Sequence, residues 1–340
     1  MSAARIPKRP KQQRVLLDTN IWSMLGRTGN GPAFYALARE MDFEVVVAPS
    51  ILLEIARSSN VEASARDRDA VLAGHRRHLP TEAELVTTEL LDEIRRLHPE
   101  WLLNRPDDRD WKQLHRFWTV ELWRHARRDW QAVVDTGAVA PTEDVELLRT
   151  AQAKLKSAML ELKINVPAAR GQIKPNGPQW YQRALPEDGW VDLWRLEAWE
   201  QSRKVIMEIA RPSLRDGTVR TLADWLEGFV DVAVIRRDME AFTRFWFAEV
   251  EASHMPCEWL SFTAQRYQMV SKVTDSSPFD AQHAGYLAEC DLFLTADRRF
   301  VLTIESMARD SPFDVATPLR IAGRGDTVID EIRRVISAAE

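Results

Sequence analysis

Four acidic residues lie at the start of a predicted helix or within one turn of it, which is a common place for catalytic residues in proteins. Asp18 directly follows Val15-Leu16-Leu17, and Asp297 closes a similar apolar segment that ends at Thr295. Glu54 lies on a predicted helix one turn after the apolar segment 43–48, and Asp280 opens another predicted helix. Clustered carboxylates repel each other and raise each other's pKa, so such a cluster needs a cation.

Oxygen ligands of this type suit Mg²⁺ or Mn²⁺ and leave open positions on the ion. Two such ions about 4 Å apart activate a water molecule and stabilise the leaving oxygen of a phosphodiester. Three or four acids from separate segments would therefore suit the metal-dependent hydrolysis of a nucleic acid. No side-chain nucleophile is needed in this chemistry, because the attacking group is water.

Each acid also has an ordinary structural explanation, which the sequence leaves open. Asp18 and Asp297 are of the type favoured as helix N-caps. Asp280 completes the capping-box pattern that begins at Ser277, and Glu54 has the usual character of a solvated helix residue. These explanations do not account for the presence of several acids at equivalent positions, near the ends of predicted strands.

His283 lies one turn after Asp280, so the two residues share a helix face. A role for His283 beside the acids and a purely structural role both stay open. Asp291 is rejected as a metal ligand, because it begins the apolar segment whose far end carries Asp297. A strand of that length separates the two carboxylates by about 20 Å.

The elements that would position the acids are strands alternating with helices at both ends of the chain. Strands are predicted at 15–17, 43–48, 291–295 and 319–321. Alternation of this kind predicts an α/β fold with a Rossmann-like parallel sheet. Because the carboxyl ends of parallel strands share one edge, where ligands bind, the acids should meet there.

The middle of the chain has a different character. Apolar residues there follow helical spacing, charges are dense, and no convincing strand is visible; the first predicted helix spans 64–78. The predicted organisation is a first core segment at 1–60, an all-α insertion at 61–275, and a second core segment at 276–340.

Composition limits the class of protein. The chain has 340 residues, 45% of them apolar, a net charge of -5 and two cysteines. We expect no disulfide framework, no membrane span and a soluble protein in a reducing cytoplasm. Because the net charge is negative, nucleic-acid binding would have to use local basic patches.

Taken together, the acidic motifs resemble the PIN-domain nuclease family. The resemblance is carried by Val15-Leu16-Leu17-Asp18-Thr19-Asn20, by Glu54, by Asp280 and by Phe293-Leu294-Thr295-Ala296-Asp297-Arg298-Arg299-Phe300. It covers about residues 11–60 and 276–325. It implies a PIN-like α/β core and metal-dependent hydrolysis of RNA phosphodiesters, with Mg²⁺ or Mn²⁺ as the cofactor.

The resemblance also implies roles for individual residues. Thr19 and Asn20 would steady Asp18 or a metal-bound water, and Thr295 would support the site beside Asp297. Its helix spacing to Asp280, rather than the resemblance, makes His283 a further neighbour of the ligands. The implied metal-binding and catalytic residues are Asp18, Glu54, Asp280 and Asp297.

The long segment between Glu54 and Asp280 departs from ordinary family members. It contains basic clusters at 75–78 and 124–128, from which Arg76, Arg77, Arg127 and Arg128 are the candidates for RNA binding. A solvated face of mixed charge explains any one cluster equally well. A protein partner or a homo-oligomer is a further expectation for this segment.

Two other functions stay open at this stage. One is a catalytically silent PIN-like scaffold that binds RNA or a protein partner through the helical insertion. The other is a phosphatase that forms an aspartyl-phosphate, although such enzymes usually have a second Asp two residues after the first, where this chain has Asn20.

Overall fold

The computed structural model describes residues 12–138, 171–177, 179–211, 222–269, 277–323 and 327–339. These residues form two compact units. The first, which we call the sheet unit, comprises the described residues of Ala4–Thr81, Arg116–Thr142 and Gln282–Glu340. The second, which we call the helical unit, comprises those of Glu82–His115 and Glu143–Ala281.

Seven short strands are present in the described residues. They are β1 (Arg14–Leu17), β2 (Glu44–Val47), β3 (Arg77–His78), β4 (Gln172–Ile173), β5 (Val191–Asp192), β6 (Leu292–Thr295) and β7 (Thr317–Arg320).

Helices supply most of the remaining regular structure. The α-helices of the described residues are α1 (Thr19–Thr28), α2 (Gly31–Glu40), α3 (Pro49–Ala56), α4 (Val61–Leu72), α5 (Glu82–Leu97), α6 (Arg109–Arg116), α7 (Leu122–Arg128), α8 (Trp130–Ala138), α9 (Gln179–Arg183), α10 (Leu193–Ala210), α11 (Leu222–Leu226), α12 (Val232–Arg237), α13 (Met239–Arg244), α14 (Pro256–Met269), α15 (Ser277–Gly285), α16 (Arg298–Asp310) and α17 (Val328–Ser337).

A five-stranded sheet forms the centre of the sheet unit, in the order β3-β2-β1-β6-β7. All four pairings are parallel, which confirms the predicted parallel sheet and the mixed α/β class. The side chains of β1 and β6 are buried along their whole length. Burial on both faces explains why these strands are continuous apolar runs rather than alternating ones.

The strand order reverses beside β1. From β1 the chain proceeds outward through β2 and β3 on one side, and it returns through β6 and β7 on the other. The carboxyl ends of β1 and β6 therefore form a topological switch point, the place where open α/β sheets bind their ligands. The backbone continues the pairing past β1, because Asp18 N donates to Leu294 O at 2.9 Å.

One predicted element is wrong. The helix expected at 64–78 ends at Leu72, and Arg77 and His78 instead form β3, whose partners in β2 are Val46 and Val47. Gly74 lies between the helix and the strand. A strand of two residues is too short to produce an alternating pattern, so heptad-like spacing dominated the sequence signal.

Part of the segment predicted as an insertion packs within the sheet unit. Helix α4 contacts α1 and α2, and α8 contacts α3. Residues 61–81 and 116–138 therefore bury their apolar faces with the parallel sheet and its helices.

The helical unit is built from long helices with one small hairpin. Helix α10 packs on α14 and α11, and α5 packs on α11 and α14. Strands β4 and β5 form a separate antiparallel pair, which the sequence did not predict. In the part of the chain that the structure describes, no helix combines the length and apolarity required to cross a membrane.

Candidate metal centre

Asp18 occupies the first position after β1, at the switch point of the sheet. Its Oδ2 accepts hydrogen bonds from Thr295 Oγ1 and from Asn20 Nδ2, both at 2.5 Å. Asn20 also accepts from the backbone amide of Ala296 at 2.9 Å. These bonds fix the carboxylate from β6 and from α1 and leave its Oδ1 facing His283.

The N-cap explanation of Asp18 is not supported by its geometry. Asp18 does precede α1, yet its side chain makes no capping hydrogen bond to that helix. Burial raises the pKa of Asp18 from 3.8 to about 6, against the opposing effect of the hydrogen bond from Thr295. A buried carboxylate that is not used as a cap is costly to keep charged unless a cation is bound.

Glu54 reaches the same place from α3. Its Oε2 accepts a short hydrogen bond from Thr19 Oγ1, the first residue of α1. The side chain is 20% exposed, compared with 8% for Asp18, so the cluster opens to solvent on the Glu54 side. Burial is the largest influence on Glu54 and raises the pKa of this carboxyl too.

His283 lies between the two acids. Its Nδ1 is 3.7 Å from Asp18 Oδ1 and its Nε2 is 3.7 Å from Glu54 Oε2, distances too long for hydrogen bonds. The side chain is 1% exposed, and neither ring nitrogen has a hydrogen-bond partner among the described residues. Burial lowers the pKa of His283, which favours the neutral form that binds metals.

The three side chains meet the simplest requirement for a metal site. One ligand atom from each of Asp18, Glu54 and His283 lies within 4.8 Å of the others. Ligand atoms around a single hard cation are separated by about 3–5 Å. A cation would satisfy the unpartnered imidazole and offset the charge of two buried carboxylates, so the donor set fits a divalent ion.

Asp297 lies at the end of the neighbouring strand but outside this cluster. Its backbone amide donates to Thr295 Oγ1 at 3.0 Å, and its negative charge contributes to the raised pKa of Asp18 after the larger effect of burial. The side chain is exposed and caps α16, accepting from the amides of Arg299 and Phe300. The N-cap explanation therefore holds for Asp297, beside its proximity to the cluster.

Asp280 belongs to α15, the helix that also carries His283. Its side chain lies outside the described residues, so its predicted part in the site stays a prediction. Asp291, by contrast, precedes β6, and its Oδ2 accepts a hydrogen bond from the backbone amide of Arg14 at 2.7 Å. This placement at the opposite end of the strands agrees with its rejection as a ligand.

The basic candidates fall into different environments. Arg77 lies in β3, 3.6 Å from Glu44, and Arg76 is buried with 7% exposure. Arg127 and Arg128 are exposed on α7 and line a cavity in the sheet unit together with Arg124. Sequence spacing did not single out Arg124, although its separations of three and four residues from the other two place all three on one helix face.

The sequence also did not predict the position of His283 between Asp18 and Glu54, because it indicated this residue only as a neighbour of the ligands. The available signal was its separation of three residues from Asp280 on one helix. No family model, curated protein or solved structure matches this chain.

Proposed function

We propose that this protein is a metal-dependent endoribonuclease with a PIN-like core. The carrying observation is the buried imidazole of His283, which lies between Asp18 and Glu54 at the switch point of a parallel sheet and has no hydrogen-bond partner in the described part of the chain. The two sequence motifs that carry the resemblance support the proposal. The apolar-Asp-Thr-Asn motif lies at the end of β1, and the Thr-x-Asp-x-x-Phe motif lies at the end of β6, the strand that pairs with β1.

Three side chains would hold the ion, namely Asp18, Glu54 and His283. A bound divalent cation supplies an activated water for attack on a phosphodiester and a positive charge for the leaving oxygen. A mixed set of two carboxylates and one imidazole suits Mn²⁺ better than Mg²⁺, which prefers oxygen ligands alone.

The surrounding residues hold the ligands in place. Thr295 and Asn20 fix Asp18, while Thr19 fixes Glu54, so each carboxylate is oriented by a hydroxyl or an amide. Such neighbours of metal ligands commonly change metal affinity or activity by about 10–100-fold when they are removed. Asp297 adds negative charge at the exposed edge of the cluster.

Cleavage of labelled RNA with added Mn²⁺, with and without a chelator, tests the proposal directly. We expect cleavage that requires the metal, and a loss of more than about 100-fold in Asp18→Asn, since removing a ligand exceeds the usual effect of its neighbours. The amide of the substituted side chain keeps an oxygen for the bond from Thr295, so the fold is retained.

Glu305→Gln is the matched control, because Glu305 is an exposed acid on α16. It should cleave RNA at the rate of the wild type. A single-stranded DNA of the same sequence tests the choice of nucleic acid. Mn²⁺ binding without any cleavage would reject the nuclease and leave the scaffold function, whereas full activity in Asp18→Asn would reject the metal centre.

A further inference from the structure

A cavity of about 410 Å³ in the sheet unit is lined by residues of β3, α7 and the π-helical segment Phe117–Glu121. Three of the lining side chains are arginines, and none is an acid. The lining residues are His78, Thr119, Val120, Trp123, Arg124, Arg127 and Arg128.

The three arginines form a positive cluster on the surface of α7. Arg124, Arg127 and Arg128 are exposed, and none has a carboxylate within 4.0 Å among the residues described in the structure. Like charges one helical turn apart destabilise a helix. The dipole of α7 favours the two cations in its last turn, but it does not account for Arg124.

A buried cation adds to this cluster. Arg76 is 7% exposed, its guanidinium lies 5.1 Å from the ring centroid of Trp123, and its Nε and Nη2 have no hydrogen-bond partner among the described residues. Burial lowers the pKa of Arg76, and the nearby charge of Arg127 lowers it further. A second positive charge held near the buried Arg76 guanidinium favours a bound anion.

Two aromatic side chains that stack on each other, His78 and Trp123, line the cavity. The His78 ring lies on Trp123 at 4.0 Å with an interplanar angle of 4°. The Nδ1–H of His78 donates to the carbonyl oxygen of Thr119 at 3.0 Å, and burial lowers the pKa of this imidazole to about 4. Because Trp123 is 1% exposed, its ring offers no free face to a nucleobase.

The backbone beside the cavity has an uncommon conformation. Phe117–Glu121 forms a π-helical turn that connects α6 to α7 and presents Thr119 and Val120 to the cavity. Segments of this kind are rare and are frequent at functional sites. Val120 is 46% exposed, so the rim of the cavity is accessible from solvent.

We propose that this cavity binds backbone phosphates of single-stranded RNA, through Arg124, Arg127 and Arg128. The proposed nuclease function identifies the polyanion as RNA, and the inference rests on it to that extent. Arginine forks match phosphate oxygens in a bidentate manner. Because the cavity offers arginine forks and its Trp123 ring is buried, the site recognises the backbone rather than the bases, so binding should tolerate changes of sequence.

Fluorescence anisotropy with an unstructured RNA in EDTA measures this binding without cleavage. Arg124→Gln/Arg127→Gln/Arg128→Gln should bind at least about 10-fold more weakly at moderate salt. The slope of log K against log salt should become shallower by about 0.7 for each phosphate that the variant no longer neutralises. Arg124→Gln alone should weaken binding in the same direction, which keeps the test valid if the triple variant folds poorly.

A matched control removes the same charge from arginines that already have carboxylate partners. Arg95, Arg109 and Arg183 are exposed and pair with Asp92, Asp107 and Glu240. Their triple Gln variant should bind RNA with the affinity and salt slope of the wild type. An equal loss of affinity in this control, or unchanged affinity in the cavity variants, would overturn the inference.

Failure of this inference is distinguishable from failure of the nuclease proposal. RNA that is bound in EDTA but never cleaved with Mn²⁺ rejects the nuclease and leaves the phosphate site intact. Metal-dependent cleavage by cavity variants that bind RNA as the wild type does rejects only the phosphate site. Asp18→Asn should retain RNA binding in EDTA, because Asp18 does not line the cavity.

Discussion

Thr295 donates its hydroxyl hydrogen to Asp18 Oδ2 at 2.5 Å, and this bond joins the ends of β6 and β1. The same oxygen atom of Thr295 accepts from Asn20 Nδ2 at 3.2 Å and from the amide of Asp297 at 3.0 Å. One hydroxyl group therefore orients a proposed metal ligand and organises the polar residues around it.

Thr295→Val removes this hydroxyl while preserving the shape of a fully buried side chain. We expect the affinity for Mn²⁺ to fall by about 10–100-fold, because the Asp18 carboxylate is no longer held toward the cluster. Isothermal titration calorimetry measures the change, and Thr295→Ser, which keeps the hydroxyl, should retain most of the affinity. Equal Mn²⁺ binding by Thr295→Val and the wild type would contradict the positioning role.

His283 should determine which metal the centre prefers. An imidazole ligand suits Mn²⁺ and other transition metals, whereas Mg²⁺ favours oxygen. We expect His283→Gln to lose more affinity for Mn²⁺ than for Mg²⁺, measured by competition between the two ions. His75→Gln, at an exposed histidine, is the control and should leave both affinities unchanged. Equal losses for both ions would argue against direct coordination by the ring.

Glu258 should make the stability of the helical unit depend on pH. Burial, reinforced by the charge of Glu82, raises the pKa of Glu258 from 4.5 to about 8. At a pH between 4.5 and 8, the Glu258 carboxyl is deprotonated in the unfolded chain but still protonated in the folded chain. The contribution of Glu258 to stability is therefore largest below pH 4.5 and is lost as the pH rises through 8.

Glu258→Gln removes that dependence. The variant should be more stable than the wild type at alkaline pH, by up to about 5 kcal/mol, with little difference in acid. Urea unfolding followed by tryptophan fluorescence at several pH values measures the effect. Glu187→Gln, at an exposed acid in the same unit, should follow the wild-type curve. Parallel curves for Glu258→Gln and the wild type would show that Glu258 does not cause the dependence.

Gly74 is required by the close approach of Tyr35. A Cβ atom at position 74 would lie 2.2 Å from Cγ of the Tyr35 ring, whose side chain is buried. Gly74→Ala should destabilise the protein by about 1–3 kcal/mol, as expected for an overpacked core. Ala73→Ser, at the exposed neighbouring position, is the control in urea unfolding. An unchanged midpoint in Gly74→Ala would mean that the tyrosine moves freely.

The parallel sheet was predictable because its central strands are buried on both faces. Val15-Leu16-Leu17 and Phe293-Leu294 are continuous apolar runs, and the polar residues after them mark the strand ends. The convergence of Asp18 with Thr295 follows from parallel pairing alone. The local sequence was therefore sufficient to predict the positions of Asp18 and Thr295, which depend only on where the strands end.

The remaining features depend on contacts that no local pattern encodes. Burial of His283 between two acids requires α15 to pack against the switch point, and its single histidine resembles any structural histidine in sequence. Strand β3 is two residues long and takes its conformation from pairing with β2. Glu82 and Glu258 act on each other only after distant helices pack together.

The adjacency of β1 and β6 has a consequence for synthesis of the protein. Asp18 and Glu54 emerge from the ribosome long before His283 and Thr295, which follow them by more than two hundred positions. A nascent polypeptide that still lacks α15 and β6 has no imidazole to complete the donor set and no Thr295 hydroxyl to orient Asp18. The proposed hydrolytic activity would therefore be withheld until translation has passed Thr295.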